Sequence, residues 1–276
     1  MTIMRDFAAA WLDRIGGVLG WSFIVLVCFI LVAPGLVLIP MSLTTTTYLS
    51  FPTDGLSLRW YQELLLDDHW REGLANSIVV AIGSTTLAIA TGAPAAVAVH
   101  RFGSRFLSGE AAAALPLVMP TVVLGAGLYH WYLDMGWVGT KTGLIAAHAF
   151  LGAPMVLLTT LATLRRVNPE LEQAALTMGA NNWVVLFTVT LPLALPGLIA
   201  GGLFAFIISF DEIALAFFLT DAGMKTLPKI LFDEASYTLR PTLAAASTIL
   251  IVASALAAAF ALFSARKSGS SARQDR

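Results

Sequence analysis

Two adjacent carboxylates, Asp211 and Glu212, directly follow a long stretch of the chain that contains no charged residue. The hydroxyl of Ser209 lies just before them. A carboxylate beside a partly dehydrated path attracts an ammonium group and repels anions. Ser209, Asp211 and Glu212 are therefore candidate groups of a path for a cationic solute, with Asp211 preferred over Glu212. The alternative is that both acids are solvated loop residues.

No enzyme motif accompanies these acids, and the patterns of serine hydrolases, zinc proteases and dithiol enzymes are all absent. His130 and His148 have no carboxylate or second histidine at ligand spacing, so both are interpreted as structural rather than as metal ligands. The single cysteine, Cys28, excludes an internal disulfide. The phosphate-binding pattern Gly-x-x-x-x-Gly-Lys-Ser/Thr is also absent, so the chain is not predicted to hydrolyse ATP.

The elements that position these groups are predicted to be membrane-spanning helices. Hydrophobic residues make up 58% of the 276 positions and charged residues only 12%, about half the charged share of a soluble domain. Spanning a bilayer takes about 20 mainly apolar residues. The sequence predicts one all-α transmembrane domain over residues 1–276, with spans near 17–43, 74–100, 111–133, 142–165, 190–213 and 241–265. The first stretch is too long for a signal peptide and is predicted to be retained.

The distribution of basic residues predicts the orientation of these spans. Of the 16 Lys and Arg residues, ten fall on the side that holds both termini. Cytoplasmic loops carry the excess of Lys and Arg, so both termini are predicted to lie in the cytoplasm. Within the fifth span, Gly197 and Gly201 are four residues apart, a spacing that allows two membrane helices to approach closely.

A short polar segment between the fourth and fifth spans has clear helix boundaries. Asn168 suits the N-cap and Pro169 the first helical position, while Gly179 suits a left-handed stop. These signals predict a helix over residues 168–179, which is too short to span a membrane. The helix either rests on the lipid surface or docks a cytoplasmic partner through the small alanines at its centre.

This segment resembles the cytoplasmic loop of the type I, binding-protein-dependent ABC importer permeases. Their loop reads Glu-Ala-Ala, three residues, Gly, nine residues, Ile-x-Leu-Pro. At the same spacing this chain has Gln173-Ala174-Ala175, Gly179 and Val189-Thr190-Leu191-Pro192. Gln173 lacks the usual negative charge, and the neighbouring Glu172 is the candidate substitute. The resemblance assigns a set of residues to coupling with an ATPase: Glu172, Gln173, Ala174, Ala175, Gly179, Leu191 and Pro192.

Other segments resemble the spermidine/putrescine branch of that family. They are Ser57-Leu58-Arg59-Trp60-Tyr61, Asn76-Ser77, Leu115-Pro116-Leu117-Val118-Met119-Pro120, Ser209-Phe210-Asp211-Glu212 and Thr226-Leu227-Pro228. The resemblance implies the second, shorter permease of a pair in a bacterial inner membrane. Its implied partners are a second permease, two ATPases that bind ATP and Mg²⁺, and an external solute-binding protein. The mechanism implied is alternating access, with no cofactor on this chain.

Three alternatives to polyamine import remain open. The first is an importer permease for another small polar solute, since selectivity in the family usually resides in the binding protein. The second is an ion-coupled transporter or channel, although such proteins commonly carry charges inside their spans and these spans have none away from their ends. The third, a membrane enzyme, requires a polar catalytic cluster that the sequence lacks. The net charge of −1 gives no basic field for nucleic acid.

Overall fold

The computed structural model describes residues 2–103 and 114–256, except the side chains of residues 2–16 and 18. The described residues are mostly helical and include no strand. Their helices are α1 (Thr2–Met41), α2 (Arg59–Leu66), α3 (Asp68–Phe102), α4 (Thr121–Asp134), α5 (Lys141–Leu164), α6 (Glu170–Thr177), α7 (Asn182–Asp211), α8 (Ala214–Leu219), α9 (Leu227–Asp233) and α10 (Pro241–Leu256). Two segments, Leu186–Thr190 within α7 and Glu234–Thr238 after α9, are π-helical.

Four of the described helices are long and apolar enough to cross a membrane. They are Leu19–Met41 within α1, together with α3, α5 and α7. They correspond to the predicted spans near 17–43, 74–100, 142–165 and 190–213. Helix α3 begins earlier than predicted because polar residues at a membrane surface can continue a helix that the apolar pattern alone does not include. Helix α7 begins earlier because the mostly apolar residues 183–189 are already helical before Leu191-Pro192.

The third and sixth predicted spans correspond to shorter helices. In the third, residues 114–118 are helical, the helix is interrupted at Met119 and Pro120, and α4 begins at Thr121. Pro120 has an extended backbone with ψ of 126°, and proline has no N–H with which to continue a helix. Helix α10 covers most of the sixth span. Residues 111–113 and 257–265 of these two predictions lie outside the described residues.

Residues 68–233 form one compact unit built on the long helices α3, α5 and α7. Small side chains, including those of Ala88, Val156 and Ala205, fill the contact between the three helices. Hydrogen bonds place the starts of α3 and α5 and the end of α7 at the same end as α9. We call this the α9 end of the unit and the opposite one the α6 end.

The segments before and after that unit, residues 1–67 and 234–276, form the second compact unit. Within it, Trp60 of α2 is buried, and its Nε1 donates a hydrogen bond to Thr44 O at 2.8 Å. Ser42 Oγ and Tyr61 OH are hydrogen-bonded at 2.7 Å. These bonds fold α2 back onto the segment that follows α1. None of the apolar window within Leu19–Met41 is buried by the chain itself, so lipid or another protein must cover it.

Candidate functional site

The stop of α6 is formed by two backbone hydrogen bonds around a glycine. Ala180 N–H donates to Ala175 O at 3.1 Å, and Gly179 N–H donates to Leu176 O at 3.0 Å. This pair of bonds satisfies carbonyls at the end of a helix that would otherwise lack partners. Gly179 has φ of 90°, which confirms the predicted left-handed stop.

The side chain of Asn168 holds the start of α6 from one residue before the N-cap position. Its Oδ1 accepts a hydrogen bond from Glu170 N–H at 3.0 Å, and its Nδ2 donates to Glu170 Oε2 at 3.1 Å. The helix proper therefore covers Glu170–Thr177, slightly less than the predicted 168–179. Pro169, predicted as the first helical position, instead occupies the N-cap position, and Asn168 precedes it. At the other end, Met178 and Gly179 form the closing turn.

Most of the predicted coupling residues on α6 are exposed. Gln173 and Ala174 are exposed, whereas Ala175 is buried against the chain. Leu176 and Met178 add apolar area, and Met178 is 83% exposed. The exposed residues of α6 thus combine the amide of Gln173 and the carboxylate of Glu170 with apolar side chains, a composition suited to contact with another protein.

Glu172 turns away from this exposed face and binds α7. Thr190 Oγ1 donates a hydrogen bond to Glu172 Oε1 at 2.5 Å, and the threonine is only 1% exposed. Thr190 is the last residue of the π-helical segment Leu186–Thr190. The bond joins α6 directly to α7. The carboxylate of Glu172 is therefore held within the chain, whereas Glu170, three residues before Gln173, is an exposed acid of this helix.

The π-helical segment has a local cause in Leu191-Pro192. Proline has no N–H, so Pro192 cannot donate to the carbonyl four residues before it. Just before it, Leu191 N–H donates to Leu186 O, five residues earlier, which is the π-helical pattern. Leu191 is partly buried and Pro192 is exposed. Sequence reasoning missed Thr190, whose only signal is a hydroxyl within an apolar run.

The two acids at the α9 end have different surroundings. Glu212 Oε1 accepts hydrogen bonds from Ala214 N–H at 2.8 Å and Leu215 N–H at 3.2 Å. Glu212 therefore satisfies backbone donors at the start of α8, where a negative charge is also favoured by the helix dipole. Asp211 is the last residue of α7 and is exposed. The structure thus leaves the carboxylate of Asp211 open and holds that of Glu212 against backbone.

Ser209 lies in the interior, between α3, α5 and α7. Ser84 Oγ donates to Ser209 Oγ at 2.8 Å, and His148 Nδ1 lies 2.8 Å from the same oxygen. Ser84 and His148 are each 1% exposed. Residues two apart on a helix point about 200° away from each other, so Ser209 faces the packed core and Asp211 faces the opposite side. The interpretation of His148 as structural agrees with this place in a buried hydrogen-bonded cluster.

Two side chains near the start of α3 hold the loop that leads into α9. Asn76 Nδ2 donates to Lys225 O at 3.0 Å, and Leu227 N–H donates to Ser77 Oγ at 2.8 Å. Two of the segments that carry the spermidine/putrescine resemblance therefore contact each other although they are far apart in sequence. Their polar residues have a structural role in fixing this loop.

A cluster of opposite charges lies next to that loop. Asp233 accepts hydrogen bonds from Lys229 and, at 3.0 Å, from Lys225. The side chains of Asp233 and Lys229 are only 20% and 13% exposed. Burial by itself raises the pKa of Asp233, but the hydrogen bonds and charges of the two lysines outweigh it and lower the pKa below its ordinary value. The folded protein therefore favours the ionised carboxylate.

Replacing Asp233 with asparagine is expected to destabilise the 68–233 unit by about 1–3 kcal/mol, because two partly buried lysines lose a charged partner. A lowered folded-state pKa means that the contribution is present above the unfolded-state pKa and is lost as pH falls through the folded-state value. Thermal unfolding of the detergent-purified protein as a function of pH measures both effects.

The matched control for Asp233 is Asp68→Asn. Asp68 pairs with Arg71 at 3.0 Å, but the two side chains are 81% and 65% exposed. An exposed pair of this kind contributes little. Equal melting temperatures and pH profiles for Asp233→Asn and the wild type would show that the lysine cluster does not stabilise the fold.

Residues that could hold a metal ion are not grouped in the described parts of the chain. Within residues 2–103 and 114–256, no three histidine, cysteine, aspartate or glutamate side chains are arranged for metal binding. His130 is exposed on α4, and Cys28 is exposed on α1.

Several known proteins resemble this chain along most of its length. The putrescine transport system permease protein PotI of Escherichia coli K12 is 31% identical over 242 residues, which cover 84% of this chain and 85% of that protein. The spermidine/putrescine transport system permease protein PotC of Haemophilus influenzae is 27% identical over 236 residues, covering 84% and 91%.

Solved structures share the fold at lower sequence identity. A chain of a bacterial ABC transporter involved in import of the acidic polysaccharide alginate superposes with a TM-score of 0.71 and 16% identity, covering 91% of this chain and 96% of its own. The family model for the binding-protein-dependent transport system inner membrane component matches residues 88–269. This chain therefore belongs to the family of binding-protein-dependent transport system inner membrane components.

Proposed function

We propose that this chain is one of two different permease subunits of an ATP-driven importer and that the imported solute is a polyamine. Family membership makes the chain a permease subunit in the membrane rather than an ATPase. The proposal adds the subunits around it: a second permease, two ATPases that bind ATP and Mg²⁺, and an external solute-binding protein. It also treats residues 1–276 as one transmembrane domain. In the sequence, the unit of residues 68–233 lies between the two segments that form the other unit, 1–67 and 234–276.

Coupling to ATP hydrolysis is assigned to α6. Its exposed residues, among them Gln173 and Ala174, offer a surface to an ATPase, and Gly179 fixes where the helix ends. The hydrogen bond between Glu172 and Thr190 connects this helix to α7. Movement of α6 with the ATPase would pass through this bond to α7. This route supports alternating access, in which one group of helices rocks against another.

The observation that carries the polyamine assignment is the open carboxylate of Asp211 at the α9 end, opposite α6. An ammonium group approaching this end meets an acid whose oxygens no described residue occupies. Glu212 orders the adjacent turn, and Ser209 anchors α7 from its other side. The putrescine and spermidine/putrescine permeases among the relatives support the same solute class.

Replacing Asp211 with asparagine is expected to lower the rate of polyamine import about tenfold or more, because one charge-assisted contact with the solute is lost. Uptake of radiolabelled putrescine into cells or vesicles, at equal amounts of assembled importer, measures this change. The uptake rate is divided by the ATPase activity of the same sample. This normalisation separates a loss of assembled importer from a loss of solute transport.

The control for that experiment is Glu212→Gln, which keeps an oxygen acceptor for the amides of Ala214 and Leu215. Near-normal uptake is expected from this variant. Normal uptake by Asp211→Asn would refute the cation path. An equal loss of uptake for an uncharged solute would assign Asp211 to structure instead.

Import of another small polar solute is the second candidate function. The match to an alginate importer keeps this candidate open, since one fold serves solutes of different size and charge. Binding of putrescine, spermidine and neutral sugars to the cognate solute-binding protein discriminates between the candidates.

The proposed orientation places both termini, and α6, in the cytoplasm. In a Cys28→Ser background, a cysteine at Ser57 is expected to react with an impermeant thiol reagent in intact cells, whereas one at Ser270 is expected to react only after lysis. The physical basis is the excess of Lys and Arg on the side of the termini. The opposite labelling pattern would invert the proposed orientation.

A further inference from the structure

A groove of about 630 Å³ runs along the 68–233 unit at the α6 end, between the last turns of α3 and the first turns of α7. Its apolar walls include Pro94, Val97 and Ala98 of α3 and Trp183, Leu186 and Phe187 of α7. Among the described residues that line it, Arg101 is the only charged one and Asn182 supplies the only amide side chain. The groove falls within the size range of small-ligand sites, about 300–1,000 Å³.

The length of the groove corresponds to one leaflet of a membrane. On α3 it extends from Phe102 to Ala93, and on α7 from Asn182 to Leu191. At 1.5 Å per residue each of these segments is about 13 Å long. One leaflet contributes about 15 Å of hydrocarbon. The groove therefore reaches from the membrane surface through most of one leaflet.

The charged residue and the exposed aromatic side chain lie at the surface end of the groove. Arg101 is exposed, and no acidic side chain within the described ranges forms an ion pair with it. Trp183 is 71% exposed and stacks on Phe187 with ring centroids 6.5 Å apart. Tryptophan favours the membrane interface, and guanidinium groups bind phosphate through paired hydrogen bonds. The positive charge of Arg101 beside the apolar walls of the groove complements an amphiphile with an anionic headgroup.

We propose that this groove binds one anionic phospholipid. The phosphate lies against Arg101, and one acyl chain follows the apolar walls past Trp183 and Leu186. A free anion would leave these walls unfilled, and a lipid without net charge would gain less from the arginine. Lipid binding itself rests on the membrane location of the chain, and only its effect on coupling rests on the proposed function.

The position of the groove connects lipid binding to the coupling site. Leu186 and Phe187 belong to the π-helical segment whose last residue, Thr190, bonds to Glu172 of α6. A lipid chain packed on this segment therefore contacts the element through which α6 is joined to α7. Occupancy of the groove is expected to change how strongly ATP hydrolysis is coupled to transport.

Native mass spectrometry of the detergent-purified importer, titrated with phosphatidylglycerol or phosphatidylcholine, tests the proposal. The wild type is expected to bind phosphatidylglycerol more tightly than phosphatidylcholine. In Arg101→Ala the Kd for phosphatidylglycerol is expected to rise about tenfold, the change typical for loss of a charged hydrogen bond. Binding of phosphatidylcholine should change little. Arg166→Ala, which removes an exposed arginine at the same end but outside the groove, should bind both lipids as the wild type does.

A second variant, Ala98→Phe, tests the apolar part of the groove. A phenyl ring there fills space between α3 and α7 and is expected to weaken the binding of both lipids without changing any charge. Equal affinity of the wild type for the two lipids, or equal behaviour of Arg101→Ala and Arg166→Ala, would overturn the proposal.

Thiol labelling separates lipid from a protein occupant. A Trp183→Cys variant in the Cys28→Ser background is expected to react with a thiol reagent in the delipidated importer and to be protected after phosphatidylglycerol is added. Protection that persists without lipid would mean that a neighbouring subunit covers the groove, and would overturn the assignment to lipid.

Discussion

A Gly179→Val variant is expected to reach the membrane at normal levels and to lose most of its transport activity. Gly179 has φ of 90°, in a region that β-branched residues rarely adopt. Among the described residues, no atom outside its own turn lies within 4 Å of where a Cβ would be. The effect is therefore conformational rather than steric, and its cost is about 1–2 kcal/mol. That cost lowers the equilibrium ratio of the native helix stop to rearranged conformations about 5–30-fold.

The Gly179→Val variant is expected to lose the coupling between ATP hydrolysis and transport, because the helix stop positions the last turn of α6. The bonds from Gly179 and Ala180 fix the last turn of α6, and the exposed Met178 belongs to that turn. A valine that moves the backbone out of the left-handed region breaks these bonds and redirects the exposed face. ATPase stimulation by loaded binding protein and solute uptake should therefore fall together.

The matched control is Gly179→Asn. Asparagine tolerates the left-handed region better than other non-glycine residues, and the open surroundings accept its side chain. We expect this variant to keep most of its transport. If the asparagine and valine variants lose transport equally, the glycine is needed for close contact with a partner and not for its conformation. Normal transport by the valine variant would remove the coupling role of the helix stop.

Local sequence signals account for the parts of the fold that were predicted well. The span near 142–165 corresponds to Lys141–Leu164 because one long apolar run makes one long helix. The ends of α6 were predictable because Asn168 and Gly179 act on their own turns. The interruption at Met119 and Pro120 was not, because proline inside a membrane helix is often accommodated by a kink that leaves the helix continuous.

The contacts of the candidate site could not be predicted from local sequence patterns. Glu172 and Thr190 are eighteen positions apart, and their contact depends on the path of α7 after its π-helical segment. Ser209 and Asp211 were grouped as one path because they are close in sequence. Helical geometry instead points them in opposite directions, so that only Asp211 remains open.

Replacing Gly201 with alanine is expected to destabilise the packing of α5 on α7 by about 1–3 kcal/mol. A Cβ at this position would overlap Thr159 Oγ1 and lie 2.7 Å from Val156 Cα. The threonine side chain can rotate, but the Cα belongs to the backbone of α5. Relief therefore requires the two helices to separate, which also disturbs the neighbouring contact of Gly197 with Thr159 O.

The adjacent Gly202 supplies a matched control for this change. A Cβ there would meet Ile89 Cδ1 at 3.1 Å, the flexible end of a side chain. Alanine favours a helix over glycine by about 1 kcal/mol, so Gly202→Ala is expected to be neutral or stabilising. Both variants gain the same helix propensity, and the difference between their melting temperatures isolates the helix contact.

The double variant Thr159→Ala, Gly201→Ala separates the two sources of overlap. Removing the threonine hydroxyl relieves the contact with Oγ1 but leaves Val156 Cα in place, so we expect only partial recovery of thermal stability in detergent. Full recovery would show that the side chain alone limits the approach. Equal stability of Gly201→Ala and Gly202→Ala would show that α5 and α7 do not approach this closely in the protein. The Gly197–Gly201 spacing would then have no structural role in this packing.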